Sequence, residues 1–221
     1  MSSEFWAAIM GALVGGAISG GLQSFAFRSA ARERGAEKLE INQSLARSLM
    51  FKLTKVQSDF RNIAEHFEQM NEIATRRKMG FDWKTCLPLA NLPREIEFTA
   101  DEMSTLLGTK DNDLFNDVVA LDHVHWGIIQ NLASYREGRE ALESILPATM
   151  DGEIGTIELD DTLLRVAEPR ATKLNSLLHQ LVESVMRVYD PAMTLTMRAT
   201  EAFNNAYGLG LKTVLKASAQ S

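Results

Sequence analysis

Apolar residues recur at alternating spacings of three and four over several long stretches of the chain after residue 45. This seven-residue period predicts amphipathic helices that each bury one apolar seam. The first helix is expected to end where Arg76, Arg77 and Lys78 precede Gly80, because cations followed by a glycine favour a helix C-terminus. Its predicted seam consists of Ala46, Leu49, Leu53, Val56, Phe60, Ile63, Phe67, Met70 and Ala74.

A short helix and a second long helix are predicted next. Thr99 and Glu102 have capping-box spacing, so the short helix begins there and ends near Gly108. The long helix begins near residue 112 and is broken by Pro147. Arg139 falls on its seam, and a charged seam residue indicates that the seam ends or meets a partner there. The other seam residues are Leu114, Val118, Leu121, His125, Ile128, Leu132, Tyr135, Leu142 and Leu146.

Two more helices are predicted in the last third of the chain. Pro169 lies inside the earlier one, which therefore kinks or starts there. Asp190 and Pro191 have the chemistry of an N-cap and a first helical residue, so a fourth helix is expected from there to about Lys216. The third seam is Leu164, Ala167, Ala171, Leu174, Leu178, Leu181, Val185 and Val188, and the fourth apolar face is Met193, Met197, Phe203, Tyr207, Leu211 and Val214.

Two stretches lack a sustained helical period. Residues 80–98 contain Pro88 and Pro93 and predict a packed loop that Trp83 pins to the helices. Residues 149–161 are rich in turn residues and acids and predict a second loop. Four seams that each need covering predict an all-α fold, namely an up-down four-helix bundle with a short extra helix.

An uncharged stretch near the start of the chain, Phe5 to Phe27, predicts a transmembrane helix. As a helix its roughly 23 residues extend ~34 Å, enough to cross a bilayer. No Lys or Arg precedes it, which argues against a cleavable signal peptide. Basic residues follow it, which predicts a single pass through the cytoplasmic (inner) membrane with the N-terminus outside and the C-terminal domain cytoplasmic. These topology-setting residues are Arg28, Arg32, Arg34 and Lys38.

Small residues form ordered faces along this predicted span. Such faces let helix backbones approach closely, which favours association within lipid. The expected partners are the bilayer and either further copies of the chain or other membrane-protein subunits. A monomeric membrane helix and a buried helix of a soluble protein are the alternatives. The predicted contact residues are Ala8, Gly11, Ala12, Gly15, Gly16, Ser19, Gly20 and Ser24.

The predicted organisation has four parts. Residues 1–27 form the N-terminal tail and transmembrane helix, and residues 28–45 a polar helical stalk. Residues 46–216 form the helical bundle, and residues 217–221 a flexible tail.

Composition narrows the function classes. With 45% apolar and 24% charged residues, the chain has the make-up of an ordinary globular protein. A net charge of −6 argues against binding to duplex nucleic acid, which requires a concentrated basic face. The single cysteine, Cys86, excludes an intrachain disulfide and a multi-cysteine metal site.

Asp122, His123 and His125 are the most suggestive cluster for chemistry, because carboxylates and imidazoles ligate metals. The two histidines lie ~200° apart around a helix and cannot chelate one ion together. Asp122 and His125 can share a face, but no matching acid and histidine occur elsewhere at that spacing. The pattern therefore favours a buried, hydrogen-bonded His125. Cys86 is expected to pack within its loop, because no base is evident beside it.

The functional expectation is a non-enzymatic interaction protein, an accessory or assembly subunit of a membrane complex. No catalytic residue, metal, cofactor, nucleic acid or small-molecule substrate is expected. The alternative is a membrane-acting effector or pore-forming protein gated by its helical domain. An enzyme ranks third.

Overall fold

The computed structural model describes residues 3–109, 111–146 and 160–212, with side chains from residue 30 onward. All regular structure in this part of the chain is helical, so the predicted all-α class is confirmed. The chain divides into two compact units, Met1–Leu45 and Ala46–Ser221. The helices are α1 (Ser3–Arg76), the short α2 (Ala100–Gly108), α3 (Asn112–Glu143) and α4 (Asp161–Tyr207).

The seam predicted for the first helix is confirmed in α1. Its members from Ala46 to Ala74 are buried, apart from Met70, which is half-buried. The helix ends at Arg76, and the left-handed residue that terminates it is Lys78, with φ 56°, and not Gly80. The N–H of Lys78 donates to Thr75 O at 3.0 Å and that of Met79 to Ala74 O at 2.9 Å. This is a Schellman ending with lysine where glycine is usual.

The predicted capping box at the start of α2 is also confirmed. The Glu102 N–H donates to Thr99 Oγ1 at 3.3 Å, and the Thr99 N–H donates to Glu102 Oε2 at 2.8 Å. In α3 the predicted seam is buried from Leu114 to Leu142. Arg139 is buried on that seam, which continues past it. The interruption considered for Arg139 is therefore wrong.

The third and fourth predicted helices are one continuous helix, α4, which contains both Pro169 and Pro191. Asp190 is therefore a residue inside the helix, and the N-cap is Asp160. Pro191 removes one backbone donor but leaves the seven-residue spacing intact, since the seam continues through Ala192, Thr196 and Ala199. The predictions that Leu164 and Met197 are seam residues were wrong, because both are exposed.

The predicted end of the last helix near Lys216 was also wrong. The helix α4 stops at Tyr207, and Gly208 follows it in the left-handed conformation with φ 64°, which glycine adopts without steric cost. Val214 and Lys216 lie outside the described residues.

Helix directions within the second unit differ from the predicted up-down bundle. Asp59 of α1 meets His125 of α3, and residues just after α1 meet the later part of α3, so these two helices run parallel. The helix α4 is antiparallel to α3, because Arg198 meets Asp111 near the start of α3 and Arg170 meets Ala141 near its end.

Residues 77–99, called the return segment below, cross back along the helices and occupy the place of a descending helix. They contain no helix, in agreement with the packed loop predicted for residues 80–98. Cys86 and Ile96 from this segment join the same hydrophobic core as the four helices. The bundle therefore consists of three long helices, the return segment and α2, because Pro88 and Pro93 prevent a fourth helix.

Candidate functional site: interaction surfaces and buried polar contacts

The residues predicted to contact other membrane helices, Ala8 to Ser24, lie outside the described side chains, as do Phe5 to Phe27 as a whole and Arg28. Among the side chains that are described, no helix is long and apolar enough to cross a membrane. Arg32, Arg34 and Lys38 are exposed on α1. Two apolar side chains close by, Leu39 and Ile41, are exposed as well.

His125 is buried and hydrogen-bonded, as predicted. Its Nε2 lies 3.2 Å from Asp59 Oδ2 on α1, and its exposed fraction is 1%. The ring of Phe60 meets the imidazole edge-on with centroids 5.5 Å apart. A carboxylate and an aromatic ring from α1 thus hold this imidazole in the seam between the two parallel helices.

The neighbours of His125 in sequence face elsewhere. The Nδ1 of His123 lies 2.8 Å from the Val119 carbonyl, so this ring contacts the backbone of its own helix. Burial raises the pKa of Asp122, and the negative charge of Glu95 adds to that effect. No group of three potential metal-ligating side chains occurs within the described residues. The structure pairs His125 with Asp59 and does not join it to Asp122.

Arg139 is the central contact between α3 and the return segment. Its Nη1 donates to the backbone carbonyls of Trp83 and of Cys86, the latter at 2.9 Å, and its Nε donates to Glu143 Oε1 at 2.6 Å. The guanidinium also lies over the Trp83 ring, 5.8 Å from its centroid. The partner of this charged seam residue is therefore a loop of the same chain, and Trp83 pins that loop as predicted.

Other polar side chains hold the rest of the return segment in the same way. Each satisfies a backbone group that has no partner in a helix or sheet, which is necessary because such groups are costly to bury unpaired. Three side chains donate to backbone carbonyls: Tyr135 Oη to Cys86 O at 2.7 Å, Arg136 Nη2 to Leu89 O at 2.6 Å and Lys52 Nζ to Glu97 O at 2.7 Å. The Trp83 N–H donates to Asn175 Oδ1 at 2.9 Å. His66 Nε2 lies 2.8 Å from Leu87 O.

Cys86 is enclosed by these contacts and is fully buried, as expected for a packed loop cysteine. Burial raises the pKa of its thiol to about 11, although hydrogen bonding with Tyr135 and the charge of Arg139 act in the opposite direction. A thiol with this pKa carries little thiolate near neutral pH and is a poor nucleophile.

Glu102 connects α2 to α1. Its carboxylate accepts hydrogen bonds from Lys52 Nζ at 2.7 Å and Ser48 Oγ at 2.6 Å, in addition to its capping bonds with Thr99. Burial alone would raise the pKa of this carboxyl. The bonds from Lys52, Ser48 and Thr99 outweigh burial and lower the pKa to about 2. This is a structural ion pair that fixes α2 against the bundle.

Arg198 links α4 to the start of α3. It donates to Asp111 through Nε at 3.1 Å and Nη2 at 2.8 Å, and to Asp117 through Nη1 at 2.7 Å. The bonds to these carboxylates raise the pKa of Arg198, and the bond from Arg198 lowers the pKa of Asp111. With both carboxylates bound, this guanidinium positions two helices and is poorly placed to receive an external anion.

Several surface depressions lie in the described part of the second unit. One of about 240 Å³ lies between the return segment and α3, where Trp126 is 50% exposed beside Glu95 and Asp122. Two larger ones meet at Arg198 and Thr194 on α4, with volumes of about 610 and 530 Å³. Among the described side chains, Phe51 of α1 is the most exposed aromatic residue, at 73%.

Asp59, Trp126 and Arg198 were not singled out from the sequence. Trp126 carried a usable signal, because it is a bulky aromatic residue that lies off the predicted seam. Asp59 and Arg198 carried none, since their partners are 66 and 81 to 87 positions away.

Comparison of the chain with protein-family models, with curated proteins and with solved structures finds no match.

Proposed function

We propose that this chain is a single-pass, membrane-anchored helical interaction protein, a non-catalytic accessory or assembly subunit of a membrane complex. The observation that carries the proposal is the uncharged run from Phe5 to Phe27, with basic residues following it. Such a run is long enough to span the hydrocarbon layer, and the basic flank favours a cytoplasmic location for everything after it. The proposed site is the cytoplasmic membrane.

The use of the reactive side chains supports a non-catalytic role. His125 is hydrogen-bonded to Asp59, and His66 is hydrogen-bonded to the carbonyl of Leu87. The Cys86 thiol is buried, and burial raises its pKa. Catalysis by a nucleophile and a base requires these groups to converge in an accessible place. In the described part of the bundle these side chains are buried or hydrogen-bonded within the fold, where they hold the return segment and the helices.

Exposed aromatic side chains support a role in protein binding. Phe51 on α1 and Trp126 on α3 present large apolar areas to solvent. Aromatic residues are enriched in protein interfaces and supply much of their binding energy. We propose that these two residues contact a protein partner in the cytoplasm.

The second proposed contact surface is the small-residue face of the membrane helix. Leucine in place of Gly16 and Gly20 would hold neighbouring helices apart, so self-association or association with another membrane subunit should be lost. A matched control is Gly21→Leu, since Gly21 is not one of the predicted contact residues. Crosslinking in native membranes measures the association of both variants.

The expected result is loss of crosslinked species for Gly16→Leu/Gly20→Leu and retention for Gly21→Leu. Unchanged crosslinking of the double variant would remove the association claim, and equal loss in both variants would show that the face is not specific. A mild-detergent pull-down with the wild-type chain then identifies the co-purifying subunits.

A second candidate is a membrane-acting effector or pore whose membrane helices rearrange. It is favoured by the five glycines of the span, Gly11, Gly15, Gly16, Gly20 and Gly21, which make a helix easier to distort. This candidate predicts ion leakage when the chain is expressed. An intact membrane potential under every triggering condition would count against it.

A further inference from the structure

We propose that the depression of about 240 Å³ between the return segment and α3, called the Trp126 pocket below, receives an arginine side chain of a partner protein. The inference rests on the proposed function, because it names the chemistry that the partner presents to Trp126. The pocket is smaller than the ~300–1,000 Å³ typical of sites for drug-sized molecules. It is therefore suited to one side chain and not to a whole ligand.

The pocket combines one exposed aromatic ring with three carboxylic acids. Trp126 of α3 lines it and is 50% exposed. Asp122 lies one helical turn earlier on the same face of α3, and Glu95 and Glu97 come from the return segment. A cation over an indole face is attracted by the ring quadrupole, and a carboxylate beside it adds an ion pair. The lining is therefore complementary to a cation.

These acids have no cationic partner within the part of the chain that the structure describes. None of the ion pairs between described side chains involves Glu95, Glu97 or Asp122. Burial raises the pKa of Asp122, and the imidazoles of His123 and His125 act in the opposite direction. The negative charge of Glu95 raises this pKa further. A cation placed beside both carboxylates would offset their mutual repulsion.

The wall that the return segment contributes is fixed by the fold itself. Ile96 is 7% exposed and belongs to the hydrophobic core, and Phe98 packs against that core. Lys52 Nζ donates to the Glu97 carbonyl at 2.7 Å, and Thr99 then caps α2. A wall that is already ordered loses little entropy on binding, so one inserted side chain can contribute measurably to affinity.

Arginine suits this lining better than a metal ion or a lysine. Within the described residues, no three potential ligands are close enough to hold a metal ion together. The ammonium of lysine is a compact, strongly hydrated charge. A guanidinium is planar and weakly hydrated, and it can stack on an aromatic ring while its edge bonds a carboxylate. An indole beside carboxylates therefore favours a guanidinium.

Nuclear magnetic resonance of the full chain in a mild detergent, with ¹⁵N-labelled tryptophan, tests this inference. The chain contains three tryptophans, so three indole N–H signals are expected, and Trp126→Phe identifies the one from Trp126. The probe is N-acetyl-arginine amide, and its matched control is N-acetyl-citrulline amide, which has nearly the same shape but no charge. The arginine compound should shift the Trp126 signal saturably and leave the other two unchanged. The citrulline compound should shift none of them.

Substitution of the acids separates charge recognition from apolar contact. Asp122→Asn and Glu95→Gln should each weaken binding of the arginine compound about three- to tenfold, because each removes a carboxylate that pairs with the guanidinium. Glu140→Gln removes the same charge from an exposed position of α3 outside the pocket. It should change the binding by less than about twofold, because an exposed charge more than 20 Å away along the helix is screened. Absence of a Trp126 shift, an equal shift with the citrulline compound, or unchanged binding in both acid variants would overturn the inference.

Failure of the proposed function would give a different result. In a pull-down from native membranes, Trp126→Ala should lose the subunits that co-purify with the wild-type chain, and the double variant Asp122→Asn/Glu95→Gln should retain less of them. Loss with Trp126→Ala but full retention by the double variant would overturn the arginine inference and leave the proposed contact standing. Full retention by Trp126→Ala, together with normal binding of the arginine compound, would contradict the proposed contact itself.

Discussion

Arg139 of α3 donates a hydrogen bond of 2.9 Å to the backbone carbonyl of Cys86, 53 positions earlier in the chain. The same guanidinium also serves the carbonyl of Trp83 and the carboxylate of Glu143. One buried cation thus bonds backbone carbonyls that, in a descending helix, would have been bonded by the N–H groups of that helix. The bundle depends on it because the return segment has no secondary structure of its own.

Replacing this cation should destabilise the fold substantially. Arg139→Met preserves apolar volume but leaves buried carbonyls unpaired, and we expect a loss of about 2–4 kcal/mol in the free energy of unfolding. Arg136→Met is the matched control, since Arg136 bonds the same segment from a half-buried position and should cost less. Urea denaturation followed by circular dichroism measures both.

Labelling of Cys86 gives a second readout of the same contact. In the wild-type protein the buried thiol, with its pKa of about 11, should react slowly with a disulfide reagent at pH 8. Arg139→Met should open the return segment and speed labelling. An unchanged labelling rate together with unchanged stability would show that Arg139 does not hold this segment.

Replacement of two different glycines by alanine should change the stability of the protein in opposite directions. A Cβ built on Gly108 would lie 2.1 Å from Tyr207 Oη, whereas one built on Gly127, inside α3, meets nothing within 4 Å. Gly108→Ala should therefore destabilise by about 1–3 kcal/mol through displacement of Tyr207. Gly127→Ala should stabilise by up to about 1 kcal/mol, because alanine loses less backbone entropy in a helix. Thermal unfolding of the two variants measures both effects.

Tyr207 provides the test of that mechanism. Tyr207→Phe removes both the clashing hydroxyl and its 2.7 Å bond to Thr105 O. Added to Gly108→Ala, it should cost less than the sum of the two single variants. Strict additivity would mean that the alanine acts elsewhere.

Glu102 should make the free energy of unfolding depend on pH in the acid range. Its pKa falls from 4.5 in the unfolded reference to about 2 in the fold, so its ionised form is stabilised by folding. The resulting contribution, roughly 3 kcal/mol, is fully present above pH 4.5 and is lost as the pH falls towards 2. Glu102→Gln should flatten the dependence of unfolding free energy on pH in this window. Ser104→Ala, which only removes an exposed bond to Asp101 O on the same helix, should not. A wild-type slope that persists in Glu102→Gln would assign it to other carboxyls.

The parts of the fold that are visible in the sequence are those where large apolar residues keep a strict period. The seams of α1 from residue 46 and of α3 fall into this class, as does the capping box of Thr99 and Glu102. The continuity of α4 is not visible in the sequence, because the seam passes through the small side chains of Ala192, Thr196 and Ala199. In addition, Asp190 and Pro191 have the sequence pattern of a helix start. Packing of the flanking turns outweighed the local preference of one proline.

The polar contacts are less predictable for a different reason. Arg139, Tyr135 and Lys52 bond backbone carbonyls, and any residue type has such a carbonyl, so no pattern in the partner marks the pair. The parallel course of α1 and α3 follows from these contacts. It could not be inferred from helix periods, which are the same for both directions.

The membrane anchor that we propose for Phe5 to Phe27 is tested most directly by the partition of the full chain after a carbonate wash of membranes. A charge near the middle of a membrane helix costs ~2.5–3.5 kcal/mol each. The wild-type chain should therefore stay in the membrane pellet, the variant Leu13→Arg/Val14→Arg should move to the supernatant, and the exposed bundle control Val166→Arg should behave as wild type. Recovery of the wild-type chain in the supernatant would contradict the account.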